Sequence, residues 1–247
     1  MNNFVIHHPN ICSHPFGTPN KTISISASAA GDSSNTTKEL RVCTNKSCRR
    51  QGSMDVLQVL SGIAPPDISV ISCGCLSRCG SGPNLVILPS ATFVSHCGTA
   101  ARAAEVMSSV CGGGSTSTSL EALSLRKKAE LAIDNSDFTT ADILLSQAID
   151  LNPVGGIHHL YKYRSVARLG MNNNIAALED AIKASTLAPN FPQAYICKGD
   201  ALMAMEQYDA AGDSYSMALH LDPSIRRSKS FKAKIAILQE KLATTNG

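Results

Sequence analysis

The sequence predicts an α/β domain followed by an all-α domain, and three observations carry that expectation. Apolar residues follow mixed strand and helix spacings as far as about Val110 and helical spacing beyond it. A run of glycine, serine and threonine at residues 112–118 separates the two regimes and reads as a linker. Past that run, Pro153, Pro189 and Pro223 stand 36 and 34 residues apart, close to the length of one paired-helix repeat.

Length and charge set the outer limits. The 247 residues exceed one average domain, and a hydrophobic fraction of 43% suffices for two modest cores. A net charge of +3 is too small to argue for nucleic acid, although six Lys/Arg face three Asp/Glu between Arg41 and Thr118. No stretch reaches the roughly eighteen apolar residues of a membrane-spanning helix, so no membrane insertion is expected. Residues 1–37 read as a disordered leader, because the first 31 contain no Asp or Glu and a single Lys among many polar residues. That composition, with no Arg before Arg41, resembles a plastid transit peptide and predicts a chloroplast location, in the stroma.

Residues 38–111 predict the α/β domain. Leu40 and Val42 alternate with charged neighbours as in a strand, and Met54, Val56, Leu57, Val59 and Leu60 recur as on a helix that Pro65 and Pro66 end. Ile68, Val70 and Ile71 form a second strand that runs into a cysteine-rich loop. Leu85–Leu88 and Thr92–Val94 are two short strands, and an Ala-rich helix follows from Thr99 to about Val110. The expected order is βαβββα.

Residues 119–247 predict helix almost throughout, with an internal repeat. Tyr195, Gly199, Tyr208, Ala211, Tyr215, Ala218 and Pro223 resemble the signature of the tetratricopeptide repeat (TPR) family. Phe138, Ala141, Leu145, Ala148 and Pro153 match it in a first copy, and Ala177, Ala184 and Pro189 in a second, which has Ser165 at the Gly position and Asn174 at the aromatic one. The resemblance implies a three-repeat TPR solenoid, a closing helix from about Ser224 to Leu242, and a groove that holds a protein partner. Ile235, Leu238 and Leu242 are expected to face the third repeat. TPR domains that read acidic peptide ends use Lys, Asn and Arg at places held here by Tyr163, Gln193 and Cys197, which disfavours that partner class.

Nine cysteines, an odd number, point to metal or cluster ligation rather than a disulfide framework. Cys43 and Cys48 are four residues apart in the C-x₄-C sense, Cys75 and Cys79 form C-x₃-C, and a helix and strand between them can bring the pairs together. Four thiolates suit an iron-sulfur cluster, zinc or copper(I). Cys48 at a helix start, beside Arg49 and Arg50, suits an anionic group. Plant-type ferredoxin spacing is excluded because Gln51 stands where a third cysteine is needed, and C-x-x-C is absent, while zinc remains an alternative.

The stretches 42–49 and 74–84, with C-x₄-C and C-L-x-x-C-G-x-G-P-N, resemble the thioredoxin-like two-iron ferredoxin family over roughly Glu39 to Val110. That resemblance implies a [2Fe–2S] cluster on Cys43, Cys48, Cys75 and Cys79, with Gly80, Gly82 and Pro83 shaping the ligand loop. Ser77, where the family commonly has Gly, and the additional Cys73 and Cys97 depart from the pattern and leave an alternative ligand or redox-sensitive thiol open. Cys12, Cys111 and Cys197 are read as packing residues, and His96 and the pairs His7-His8 and His158-His159 as ordinary side chains.

No nucleotide loop, nucleophile elbow or triad is present, so no enzyme is expected. The combined expectation is a plastid adaptor whose cluster domain exchanges electrons or reports redox status while the repeats hold a client during assembly of a complex. The alternatives are a ferredoxin-like one-electron carrier docked to its donor or acceptor through the repeats, and a zinc-filled scaffold without redox work.

Overall fold

A computed structural model describes residues 38–113 and 116–245; the expected leader, residues 1–37, lies outside them. The first half comprises β1 (Lys38–Cys43), α1 (Lys46–Arg50), α2 (Ser53–Ile63), β2 (Ile68–Cys73), β3 (Leu85–Leu88), β4 (Thr92–Val94) and α3 (Ala100–Val110). Its sheet has the order β2-β1-β3-β4, with β1 parallel to β2 and antiparallel to β3. Leu40 and Val42 are buried while Arg41 between them is exposed, the alternation of a sheet with one covered face. Val56, Leu60 and Ile63 of α2 and Ala103, Val106 and Met107 of α3 join Leu40, Val42 and Leu85 in a single core. The expected turn after β1 contains α1, capped by the Asn45 side chain, and Gly52 at φ +89° separates it from α2.

The second half is a helical TPR-like solenoid: α4 (Thr116–Asp134) with α5 (Phe138–Asp150), α6 (Ile157–Gly170) with α7 (Asn174–Leu187), α8 (Pro192–Ala204) with α9 (Tyr208–Leu221), then α10 (Lys229–Thr245). Ala129, Ser165 and Gly199 occupy equivalent buried places in α4, α6 and α8, and Ala141, Ala177 and Ala211 do so in the second helices. Small side chains there let the helix backbones approach closely. At Gly199 an added methyl would enter the ring of Tyr215, whose hydroxyl donates to Asp200 Oδ1 at 2.7 Å. Ser136, Asn172 and Glu206, with φ of 61°, 61° and 60°, turn the chain from the first helix of each pair into the second.

The second repeat lacks the aromatic signature and is braced by charge. Arg164 grips Asp180 with Nη2 at 2.8 Å and Nε at 2.9 Å, and Arg168 bridges Asp180 and Asp142. Asn174, at the aromatic position, donates its Nδ2 to the carbonyl of Ala204. Leu238 is buried in the third-repeat core with Tyr215 and Phe231, and Ile235 and Leu242 pack against it, the contacts expected of the closing helix. That helix differs at its start, since Pro223–Arg227 forms a 3₁₀ turn before α10 begins at Lys229. Helix α4 likewise begins at Thr116, inside the 112–118 stretch read as a linker, because hydroxylated residues serve helix starts as readily as joints.

The two halves also meet directly. Gly155 and Gly156, before α6, lie so close to the end of α2 that a methyl on either would collide with the Ile63 or Gly62 carbonyl. Gly156 sits at φ +76° and donates its N–H to the Ala64 carbonyl at 3.0 Å. Gly62 faces Leu123 and Arg126 of α4, where a methyl would stand 2.7 Å from Leu123 Cδ1.

Replacing Asp180 by Ala leaves Arg164 and Arg168 without their shared partner in a largely buried place. A loss of about 3 kcal/mol is expected in urea unfolding. Gly199→Ala is expected to cost about 1–3 kcal/mol by the same measurement, since the Tyr215 ring has to shift.

Candidate cysteine site and inner helical face

The cysteines expected to act together lie at the end of the sheet, in two pairs. Cys43 is the last residue of β1 and Cys48 lies in α1; both are buried, with their thiols in hydrogen-bonding reach of each other. Cys75 and Cys79 lie exposed in the loop after β2, with sulfurs 3.4 Å apart. The Ser47 hydroxyl donates to the Cys79 carbonyl at 3.0 Å and ties this loop to α1. Asn84, itself buried, donates Nδ2 to Cys48 Sγ at 3.6 Å and to the Arg78 carbonyl at 2.7 Å, so one amide orients both the buried pair and the loop. The Ser77 N–H points at Cys75 Sγ at 3.3 Å. Ser77 takes φ +61° here, the conformation that suits the glycine common at this place in the resembled family.

Gly82 accommodates the Gln51 side-chain amide, with which a methyl there would collide, and such a methyl would also stand 3.0 Å from Cys48 Sγ. Burial pushes the Cys43 thiol up, but hydrogen bonds from the Asn45 and Leu76 backbone and the Cys48 side chain outweigh it and leave its pKa lowered. Cys48 is raised, by burial first and by the neighbouring Cys43, against donation from Asn84. Cys79 is raised by its hydrogen bond with Cys75 and by the electrostatic effect of that neighbour. Among the described residues no three His, Cys, Asp or Glu side chains form a group around a point suited to one metal ion.

The remaining thiols separate by environment. Cys73 ends β2 in register with Cys43 and is half-buried beside the four candidates, so it forms a fifth thiol of the neighbourhood. Cys97 is fully buried in the α/β core, and Cys197 is buried in α8, its thiol pushed up to about 11 by burial. In the sequence Asn84 is marked only by its place in the loop motif, since a carboxamide's partner cannot be read from spacing. Its neighbours Pro83 and Gly82 were the available signal.

A second candidate surface is the inner face of the solenoid. The first helices α4, α6 and α8 touch one another in succession and line the inside of the stack. Along that line Arg126 pairs with Glu130 and donates to the Gly62 carbonyl, and Cys197 Sγ lies 4.0 Å from the Lys162 carbonyl. Gln193 is exposed on α8. Helix α2 adjoins this face at α4, where Lys127 Nζ reaches Gln58 Oε1 at 3.4 Å. Next to that junction His158 and His159 meet Phe191 edge-on and help line a cavity of about 250 Å³ with Pro65, Pro66 and Ile68.

Both histidines are held neutral. Burial, then the charge of Arg126, lowers His158 to about 4, and burial, with His158 and Arg126, lowers His159 to about 3. When the chain unfolds each regains the ordinary value of 6.5, so below that pH the unfolded state binds more protons. Their contribution to stability is expected to be complete above pH 6.5 and to decline on acidification towards about 4 for His158 and about 3 for His159. Thermal melts between those limits check the slope, and His158→Phe/His159→Phe should flatten it.

No family model matches the chain. The chain is 31% identical to the Protein STIP1 homolog of Dictyostelium discoideum over 104 residues, 42% of this chain and 18% of that protein. It is 37% identical over 87 residues to the Protein SGT1 homolog of Oryza sativa subsp. japonica, 35% of this chain and 23% of that protein. It is 26% identical over 122 residues to the small glutamine-rich tetratricopeptide repeat-containing protein 2 of Mycosarcoma maydis, covering 49% and 33%. The chain therefore spans at most a third of the length of these three relatives. Among solved structures, the first TPR domain of human RPAP3 aligns with 51% of this chain and 95% of its own, at 21% identity and a TM-score of 0.46. The helical half is a TPR-like solenoid by its own geometry, and no helix of the described residues is long and apolar enough to cross a membrane.

Proposed function

We propose that the chain is a protein-binding adaptor of plastids that carries a [2Fe–2S] cluster on Cys43, Cys48, Cys75 and Cys79 and holds a client on its TPR-like half. The observation that carries this reading is the arrangement of the four sulfurs in two pairs, one buried and one exposed, at the end of the sheet. A two-iron cluster takes its four thiolates two to each iron, whereas zinc gathers four ligands about one centre. The residues present fit the group. Donors from Asn84 and Ser77 already point at the Cys48 and Cys75 sulfurs. Residues 40–54 and 68–94 contain no Asp or Glu to repel an anion.

When bound, such a cluster supplies one-electron chemistry. The chain's own residues hold it in place, supply hydrogen bonds to sulfur that set its potential, and leave one side open to a partner through Cys75 and Cys79. The exposure of that pair also supports the second reading, a ferredoxin-like electron carrier docked through its repeats. On the inner helical face Tyr163, Gln193 and Cys197 stand at the places where TPR domains that read acidic peptide ends have cations and Asn. This supports a client bound through a different chemistry.

Anaerobic reconstitution of residues 38–247 tests the cluster. Two irons and two sulfides per chain, with visible charge-transfer absorption, are expected, and Cys75→Ser should lose the colour while keeping the helical melting transition. One zinc per chain and no iron uptake would sink the reading. Capture from plastid extract separates its two forms: a complex indifferent to cluster reduction supports the adaptor, and rapid reduction by a stromal donor supports the carrier.

A further inference from the structure

We infer that the rim around Cys75 and Cys79 is a docking face for a protein with a carboxylate-rich surface, an inference that rests on the cluster reading for its purpose but not for its test. The argument is charge complementarity at one place. Lys46, Arg49 and Arg50 are exposed on α1, Arg78 is exposed within the thiol loop, and Ser47 ties α1 to that loop through the Cys79 carbonyl. None of these four cations makes an ion pair among the described residues. This is unlike Arg126, Arg164, Arg168 and Lys234, which all have carboxylate partners. The nearest acidic residues in sequence are Glu39, Asp55, Asp67 and Glu105, all outside the two segments that build the rim.

The rim also has an apolar element. The Arg78 guanidinium lies 4.8 Å from the centroid of Phe93, whose side chain is 45% exposed at the end of the sheet. A ring covered by one unpaired arginine is the composition of a protein interface centre, where Arg and aromatic residues are enriched. Four cations and one ring are fewer than the six to ten phosphate contacts, roughly, of a nucleic-acid site. Opposite charge on the partner would steer it onto the exposed thiol pair and orient it, raising the rate of encounter more than the final affinity.

The test uses residues 38–247, both iron-loaded and iron-free, and a fluorescein-labelled peptide of eight glutamates as the probe, read by anisotropy. Binding is expected at about 10 mM salt and roughly tenfold weaker at about 150 mM. Arg49→Glu/Arg50→Glu, with its circular dichroism unchanged, is expected to weaken binding at least tenfold. Arg226→Glu/Arg227→Glu, on the other basic segment, should leave it as it was. Equal binding by the α1 variant, sensitivity to the Arg226/Arg227 variant alone, or tighter binding of oligothymidylate of equal charge would each overturn the inference. Binding that survives in a chain unable to take up iron keeps the docking face and removes the cluster reading instead.

Discussion

Close backbone approach at small residues is the constraint on which the rest of this molecule depends. Within the solenoid it operates at Ala129, Ser165 and Gly199, where one helix of each pair comes against the next. Between the halves it operates at Gly62, Gly155 and Gly156, where the end of α2 meets the turn before α6 with no side chain between them. Each approach excludes water and brings larger groups into contact around it, such as Tyr215 and Phe231 in one place and Leu123 and Arg126 in another. A methyl group on Gly155, Gly156 or Gly199 costs more than its size suggests because the opposing atoms are backbone or the packed Tyr215 ring.

The seam between the halves changes how the cysteine site and the helical face are related. Helix α2 carries core residues of the sheet on one side and touches α4 on the other. The same helix follows α1, which bears Cys48. The thiol site and the inner helical face are therefore joined through packed elements as well as through the residues 112–118. That route consists of packed contacts, which hold the two surfaces in a fixed relation. The neutral pair His158 and His159 lies on that route, and so does the polar junction of Arg126 with Glu130 and the Gly62 carbonyl.

Much of the fold was legible because its signals are local and periodic. The two short strands occupy Leu85–Leu88 and Thr92–Val94, as their apolar runs and the intervening Pro89 and Ser90 imply. The helical repeats follow from prolines and small residues recurring in step, and the weak second copy kept its register because Ala177 and Ala184 still set the helix spacing. The aromatic missing at Asn174 was legible too, but its replacement was not. The brace of Arg164 and Arg168 on Asp180 and Asp142 joins residues from three helices, and neither charge nor spacing in one helix announces a partner in another.

The sequence by itself determined the four strands, most of the helices and the repeat register of the helical half, since these rest on spacing and residue chemistry along one stretch of chain, whereas α1 and the 3₁₀ turn before α10 carry no such periodic signal. The tertiary structure alone decided which sulfurs are buried and which are open, that Asn84 serves Cys48, that Cys97 belongs to the core, and that α2 rests against the solenoid. Those outcomes depend on distances between residues far apart in sequence. Such distances are set by how whole elements pack, which no local pattern contains.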